Sequence, residues 1–145
     1  MFKLSVLVLG ATLACIPYHA ATAQPATAEH GAKTKVVLQV SDDDPKKWGL
    51  VLNNAKNIQK DLGEKNVEIE IVAFGPGIGM FKGDAEIAAR VREAKAEGIT
   101  LAACENTMAA QQLKKQDMNA AVGYVPSGVV EIIKKEKAGY AYLRP

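Results

Sequence analysis

The residues best suited to chemistry lie in one short segment, residues 101–108, which reads Leu-Ala-Ala-Cys-Glu-Asn-Thr-Met. An apolar run ends at Cys104 and a helix-compatible run begins after it, which predicts that the thiol lies where a strand passes into a helix. The N–H groups of a helix's first turn stabilise anions, and the thiolate is the nucleophilic form of cysteine. Two interpretations stay open: a reactive thiol, whose ionisation Glu105 would oppose, or an inert buried cysteine.

The N-terminal segment has the pattern of a secretory signal peptide, which we expect to span residues 1–23. Lys3 provides the positive start, residues 4–16 the apolar centre, and residues 21–23 the small-residue cleavage pattern Ala-Thr-Ala. The apolar centre is shorter than the roughly 20 residues of a membrane span. We therefore expect no membrane span and a periplasmic or secreted protein.

Cleavage after Ala23 would leave a tether, residues 24–34, and one α/β domain, residues 35–145. The tether is rich in Ala and Thr and has no periodic pattern, so we expect it to be disordered. In a rival interpretation Cys15 is the acylated first residue of a lipoprotein. The alanine-type cleavage site favours the soluble alternative.

The remaining cysteine and histidine content excludes several kinds of catalysis. Cys104 would be the only cysteine of the mature chain, so it cannot close an internal disulfide and is either a free reactive thiol or paired with another molecule. His19 and His30 both precede the predicted domain. Cys-His and Ser-His-Asp catalysis and the usual zinc sites are therefore excluded. We expect no metal and no cofactor.

Composition and charge suit a small packed domain without a nucleic-acid or membrane partner. Apolar residues make up 48% of the chain, which is enough for a core. Removing Lys3 with the leader lowers the formal charge from +2 to +1. Lysines cluster at two places on predicted helices, where a solvated face explains them better than a phosphate site. They are Lys114, Lys115, Lys134, Lys135 and Lys137.

Alternating strand and helix patterns predict a three-layer α/β/α domain with about five mostly parallel strands and four helices. The second strand alternates Val and Ile with Glu near its beginning, which suggests a sheet edge. Expected strands are 35–40, 67–74, 99–103, 121–125 and 140–143, and expected helices are 45–62, 85–97, about 107–116 and 128–137.

Capping residues mark the ends of these helices. We expect Asp44, Asp84, Asn106 or Thr107, and Ser127 at the beginnings, and Gly63, Gly98 and Gly139 at the ends. Asp42, Asp43 and Asp44 could together hold magnesium, but helix capping and solvent explain them better.

A glycine-rich segment, Gly-Pro-Gly-Ile-Gly at residues 75–79, follows the second strand. Its spacing is not G-x-G-x-x-G and no Lys-Ser pair closes a phosphate loop, so nucleotide binding is the weaker interpretation. We expect a flexible, partly apolar loop near the active face, in which Gly75, Gly77, Met80 and Phe81 wall the ligand site beside Cys104.

The chain resembles the DsrE/DsrF-like family of small sulfur-relay proteins over residues 35–145. The matching pieces lie throughout this range, and the cysteine segment and the C-terminal segment are the most specific. They are Ser41-Asp42-Asp43 with Trp48, the asparagines of the first helix, Gly75-Pro76-Gly77, Ala103-Cys104-Glu105-Asn106-Thr107-Met108, Val125-Pro126-Ser127-Gly128-Val129, and Gly139-Tyr140-Ala141-Tyr142-Leu143-Arg144-Pro145.

The resemblance implies a flavodoxin-like fold, a homo-oligomer, and a cysteine, Cys104, that carries sulfur as a persulfide between a donor and an acceptor. We expect Asn106 and Thr107 to orient and hydrogen-bond the sulfur. Tyr124, Tyr140 and Tyr142 also favour an oligomer, because they give a small domain more aromatic surface than it needs to bury. The alternatives are a non-catalytic ligand-binding module and an interaction protein whose cysteine is incidental.

Overall fold

The computed structural model describes residues 32–145. The predicted signal peptide, Cys15 and the tether up to residue 31 lie outside this range. The described part contains five strands, β1 to β5, and four α-helices, α1 to α4. In chain order they are β1 Thr34–Val40, α1 Pro45–Leu62, β2 Val67–Ala73, α2 Ala88–Ala96, β3 Thr100–Cys104, α3 Glu105–Ala110, β4 Gly123–Val125, α4 Gly128–Lys137 and β5 Ala141–Leu143.

The five strands form one parallel sheet in the order β4-β3-β2-β1-β5. The predicted α/β/α architecture is therefore confirmed. The suggestion that the second strand is a sheet edge is wrong, because β2 lies between β1 and β3. Its glutamates are explained by partners instead: Glu70 is buried in an ion pair, and Glu68 accepts a hydrogen bond from the Tyr140 hydroxyl.

The first helix begins as its sequence predicts. Asp44 Oδ1 accepts hydrogen bonds from the N–H groups of Lys46 and Lys47 at 2.8 and 3.4 Å, and Pro45 occupies the first helical position, where its missing N–H costs nothing. Capping therefore accounts for Asp44. Gly63 ends the helix at a φ of 88°, a conformation that favours glycine.

The two faces of the sheet are covered unequally. The α1 face, packed against α1 and α2, holds the larger apolar core, which includes Leu38, Ile71 and Leu101. The opposite face, here called the α4 face, holds a small buried cluster beneath α4. Its members are Val37, Val72, Ala102, Ile132 and Tyr140.

Apolar and ionic contacts hold helix α4 on its face of the sheet. Ile132 packs into the small cluster, and Lys135 Nζ lies 2.5 Å from Glu70 Oε2 and 4.8 Å from the centre of the Tyr140 ring. Glu70 is 3% exposed. The prediction that Lys135 lies on a solvated face is therefore wrong, because its ammonium group pairs with a buried carboxylate.

Several predicted boundaries shift. Asp84 does not cap α2, which begins at Ala88 without a side-chain cap. Ser127 precedes α4 as predicted, but its side chain makes no capping bond. The third helix ends at Ala110, well before residue 116. The segment after β2, expected to be a flexible loop, is a 3₁₀ helix, Gly75–Phe81. It packs closely against β1, and Gly77 provides the space for this contact.

Candidate functional site

Cys104 lies at the boundary between β3 and α3, as the apolar pattern predicts. It is the last residue of β3 and also the N-cap of α3, and its Sγ accepts a hydrogen bond from the Thr107 N–H at 3.4 Å. The cysteine itself therefore takes the capping position predicted for Asn106 or Thr107. The residue is 4% exposed. It is buried, but a helix begins directly at its sulfur.

The beginning of a second helix also influences this sulfur. The N–H of Gly128, the first residue of α4, and the Asn106 N–H both act to lower the pKa of Cys104, and the Asn106 N–H donates a hydrogen bond to the Pro126 carbonyl at 3.2 Å. Burial raises the pKa of the Cys104 thiol, but hydrogen bonds from the Thr107 hydroxyl and from the N–H groups of Gly128, Thr107 and Asn106 bring it below its ordinary value. This environment therefore stabilises the thiolate relative to that of an ordinary cysteine.

Thr107 connects the cysteine to the glycine-rich segment. Its Oγ1 accepts a hydrogen bond from the Gly75 N–H at 2.9 Å, and its hydroxyl serves as a donor to Cys104. Gln111 Nε2 donates to the Gly75 carbonyl at 3.1 Å, so both backbone polar groups of Gly75 are hydrogen-bonded to side chains of the Cys104 region. Gly75 has a φ of 53°, which other residues adopt at a cost. The structure thus brings Cys104, Thr107 and Gly75 together.

The remaining residues predicted to wall the site serve the scaffold. A Cβ on Gly77 would lie 2.5 Å from the Val40 carbonyl oxygen, so this glycine permits close packing against β1. Met80 and Phe81 are 0% exposed and belong to the core of the α1 face. They therefore serve as core residues. The Asn106 side chain is exposed, so only its backbone faces the sulfur.

Glu105 does not leave an uncompensated charge beside the thiol. Its carboxylate lies 3.7 Å from Lys115 Nζ, and Lys115 lies 4.6 Å from the centre of the Tyr124 ring. Sequence reasoning did not anticipate Lys115 or Gly128 at this site. The signal for Gly128 was present, since a helix beginning after β4 must place its first N–H groups near the carboxyl end of a neighbouring parallel strand.

Residues 32–145 contain neither a metal-binding cluster nor a membrane-spanning helix. No group of three or more histidine, cysteine, aspartate or glutamate side chains there is arranged to hold a metal ion. Nor does this part of the chain contain a helix with the length and apolar character needed to cross a bilayer.

Solved structures share this fold. MTH1491 of Methanobacterium thermoautotrophicum, a protein of unknown function, is 33% identical, with a TM-score of 0.74 over 78% of this chain and 100% of that chain. BT1422 of Bacteroides thetaiotaomicron, also of unknown function, is 17% identical, with a TM-score of 0.64 over 77% and 94% of the two chains. The ychN protein of E. coli is 12% identical, with a TM-score of 0.62 over 79% and 99%.

No curated protein matches this chain. A family model does: the model described as the DsrE/DsrF-like family matches residues 34–145, a range that contains all five strands and the cysteine. The chain therefore belongs to the DsrE/DsrF-like family.

Proposed function

We propose that this protein handles sulfur through Cys104, either as a persulfide carrier or as a thiol sulfurtransferase. One observation carries the proposal: the sulfur is the N-cap of α3 and accepts a hydrogen bond from the Thr107 N–H at 3.4 Å, and the Gly128 N–H at the beginning of α4 also acts to lower its pKa. Several donors directed at one sulfur stabilise an anion there, and both a thiolate and a persulfide are anions. Membership of a family associated with sulfur relay supports the same chemistry.

The proposed reaction is a displacement at sulfur. The Cys104 thiolate attacks the sulfane sulfur of a donor R–S–SH, a new S–S bond forms at Cys104, and the donor's S–S bond breaks. The leaving thiolate RS⁻ takes the bonding electron pair. In the reverse sense, an acceptor thiolate attacks the outer sulfur of the persulfide and Cys104 leaves as thiolate. No net oxidation occurs, and no imidazole is required.

Intact-mass measurement tests this function directly. Wild-type protein incubated with hydropolysulfide should gain the mass of one or more sulfur atoms, and a thiol reductant should remove it. Cys104→Ser, which keeps the size and a hydrogen-bonding group, should gain nothing. An unchanged wild-type mass would reject the proposal. Ligand-induced thermal stabilisation that survives in Cys104→Ser would instead favour a binding module.

Export and self-assembly belong to the same proposal. A mature chain that begins at Gln24 in the periplasm or outside the cell would follow from cleavage after Ala23, and N-terminal sequencing of the native protein checks this. A homo-oligomer is supported by exposed apolar side chains on α4 and β5, among them Val129, Ile133 and Tyr142. Light scattering that shows only monomer would contradict self-assembly.

A further inference from the structure

The two edges of the sheet are protected to different degrees. At one edge, β4 is followed directly by Pro126, and Lys115 Nζ lies 4.6 Å from the centre of the Tyr124 ring. A proline and a lysine at an edge strand discourage pairing with another chain. At the other edge, all three residues of β5 are exposed, and no strand among residues 32–145 pairs with their outer side. The β5 edge can therefore accept a further strand.

The large apolar side chains that stay exposed in residues 32–145 all lie on β5 or on a helix next to it. Tyr142 lies on the α4 face and Leu143 on the α1 face, as their partners in β1 do. Helix α4 contacts β5, and α1 packs on β1, the neighbour of β5. The side chains are 40–52% exposed, and they are Leu50, Leu62, Val129, Val130, Ile133, Tyr142 and Leu143.

The exposed side chains of α1 lie on the side of that helix that faces the β5 edge. On its opposite side, Lys56 pairs with two glutamates of α2, the helix that leads from β2 to β3. Leu50, Ile58 and Leu62 follow the four-residue spacing of one helix ridge. At 100° per residue this ridge is centred opposite Lys56, so it points away from α2 and towards β5.

This side of the molecule offers enough apolar surface for a stable interface. At their observed exposures, the seven side chains present on the order of 500 Å² of apolar surface, as much as the largest patch on a typical monomer. A standard interface buries about 800 Å² on each partner, and a little over half of that area is apolar. The unpaired N–H and C=O groups of β5 add hydrogen bonds that another strand can complete.

We propose that two copies of this chain join at β5, antiparallel about a two-fold axis at Tyr142, so that their sheets become one. This interface rests on the self-assembly included in the proposed function. A second copy fits the surface, because a two-fold axis sets each β5 against a strand of its own length and the α1 ridge towards its equivalent. Ala141 of each copy then lies opposite Leu143 of the other.

Single cysteines test this register in the chain that begins at Gln24 and carries Cys104→Ser, which has no other thiol. Tyr142→Cys should form an intermolecular disulfide on mild oxidation, because opposite residues of an antiparallel pair have Cα atoms about 4.5–5.5 Å apart. Leu143→Cys is the matched control, since its two Cα atoms would lie roughly 8 Å apart, beyond the reach of a disulfide. Non-reducing electrophoresis compares them. Equal cross-linking overturns the register, and none in either variant overturns the edge pairing.

Charges placed at the two exposed positions beside Tyr142 test the same contact at equilibrium. In Ala141→Glu/Leu143→Glu, carboxylates face each other across the axis, and the dissociation constant of the dimer should rise at least about tenfold. In Ala141→Lys/Leu143→Glu, each lysine faces a glutamate of the other copy, and the dimer should be at least about tenfold tighter than with two glutamates. Sedimentation equilibrium measures both constants. Equal dissociation constants for the two variants overturn the proposed pairing.

The state of the wild-type protein separates the interface from self-assembly as such. A monomeric wild type overturns both, whereas an oligomer that is insensitive to every change in β5 overturns the interface alone. None of these measurements depends on the thiol of Cys104, so the sulfur-handling function is tested separately by the mass of the wild-type protein after treatment with hydropolysulfide.

Discussion

The backbone N–H of Gly75 donates to Thr107 Oγ1 at 2.9 Å, although the two residues are 32 positions apart in the chain. The bond joins the segment after β2 to the helix after β3. Because Thr107 Oγ1 accepts a hydrogen bond from the Gly75 N–H, the hydroxyl proton is left to be donated to Cys104 Sγ. The glycine-rich segment thus helps to orient the Thr107 hydroxyl, which in turn lowers the pKa of Cys104.

Removing that hydroxyl should raise the pKa of Cys104. Thr107→Val keeps the shape of the side chain but loses the donor to the sulfur and the acceptor for Gly75. We expect the pKa to rise and alkylation at neutral pH to become slower, because a smaller fraction of the thiol is ionised. The rate of iodoacetamide alkylation against pH measures both. Thr107→Ser keeps the hydroxyl and should behave as wild type; if it matches Thr107→Val, the hydroxyl is not responsible.

The contribution of α4 can be tested at Gly128. In Gly128→Ala the new Cβ would meet the Phe74 side chain at 3.0 Å, so we expect the beginning of α4 to shift and its first N–H to act less on Cys104. The pKa of the thiol should rise, and the free energy of unfolding should fall by about 1–3 kcal/mol because of overpacking. Urea denaturation and pH-dependent alkylation give the two values. Ser127→Ala is the matched control, since the Ser127 side chain makes no capping bond and its loss should leave the pKa unchanged.

The lowered pKa of Cys104 also links stability to pH. Because the folded-state pKa lies below the unfolded one, folding favours the thiolate, and this stabilisation is complete above the unfolded pKa and is lost as pH falls through the folded pKa. The unfolding free energy of wild type relative to Cys104→Ser should therefore increase with pH across that interval. Parallel urea denaturations of both proteins measure it. A flat difference, or one that decreases, would show that the thiolate is not favoured by the fold.

Two glycines should respond oppositely to alanine. In Gly77→Ala the Cβ would lie 2.5 Å from the Val40 carbonyl oxygen, so backbone must shift, and we expect a loss of about 1–3 kcal/mol or more. Gly49 lies inside α1, where its nearest contact would be Arg90 Nη1 at 3.4 Å. Gly49→Ala should stabilise by about 0.5–1 kcal/mol through helix propensity. Thermal unfolding of the two variants decides, and a stable Gly77→Ala would contradict the close packing.

Local patterns predicted the elements and the place of the cysteine. The apolar run before Cys104 fixed the end of β3, and Asp44 with Pro45 fixed the beginning of α1, because both signals lie within a few neighbouring residues. The relations that make the site were harder to predict. Glu70 and Lys135 are far apart in the chain, and only the sheet order and the α4 crossover bring them together.

Position in the sequence does not show by itself which residues lie beside the sulfur. Met80 and Phe81 follow the glycine-rich segment, yet the 3₁₀ helix directs them into the core of the α1 face. Gly128 is 24 positions further along the chain, yet its N–H acts to lower the pKa of Cys104. In the same way, the alternating glutamates of β2 suggested solvent at a sheet edge, because a sequence does not show which charges will find a buried partner.

The place of β5 beside β1 has a consequence for the order in which a newly made chain becomes reactive. Helix α4 belongs to the connection between β4 and β5, and it packs on the sheet when β5 pairs with β1. Until that late segment has emerged and docked, the thiol of residue 104 has strand and α3 but lacks the amide of Gly128. The thiol therefore becomes fully activated only when folding is complete, and an unfinished chain has a less reactive cysteine.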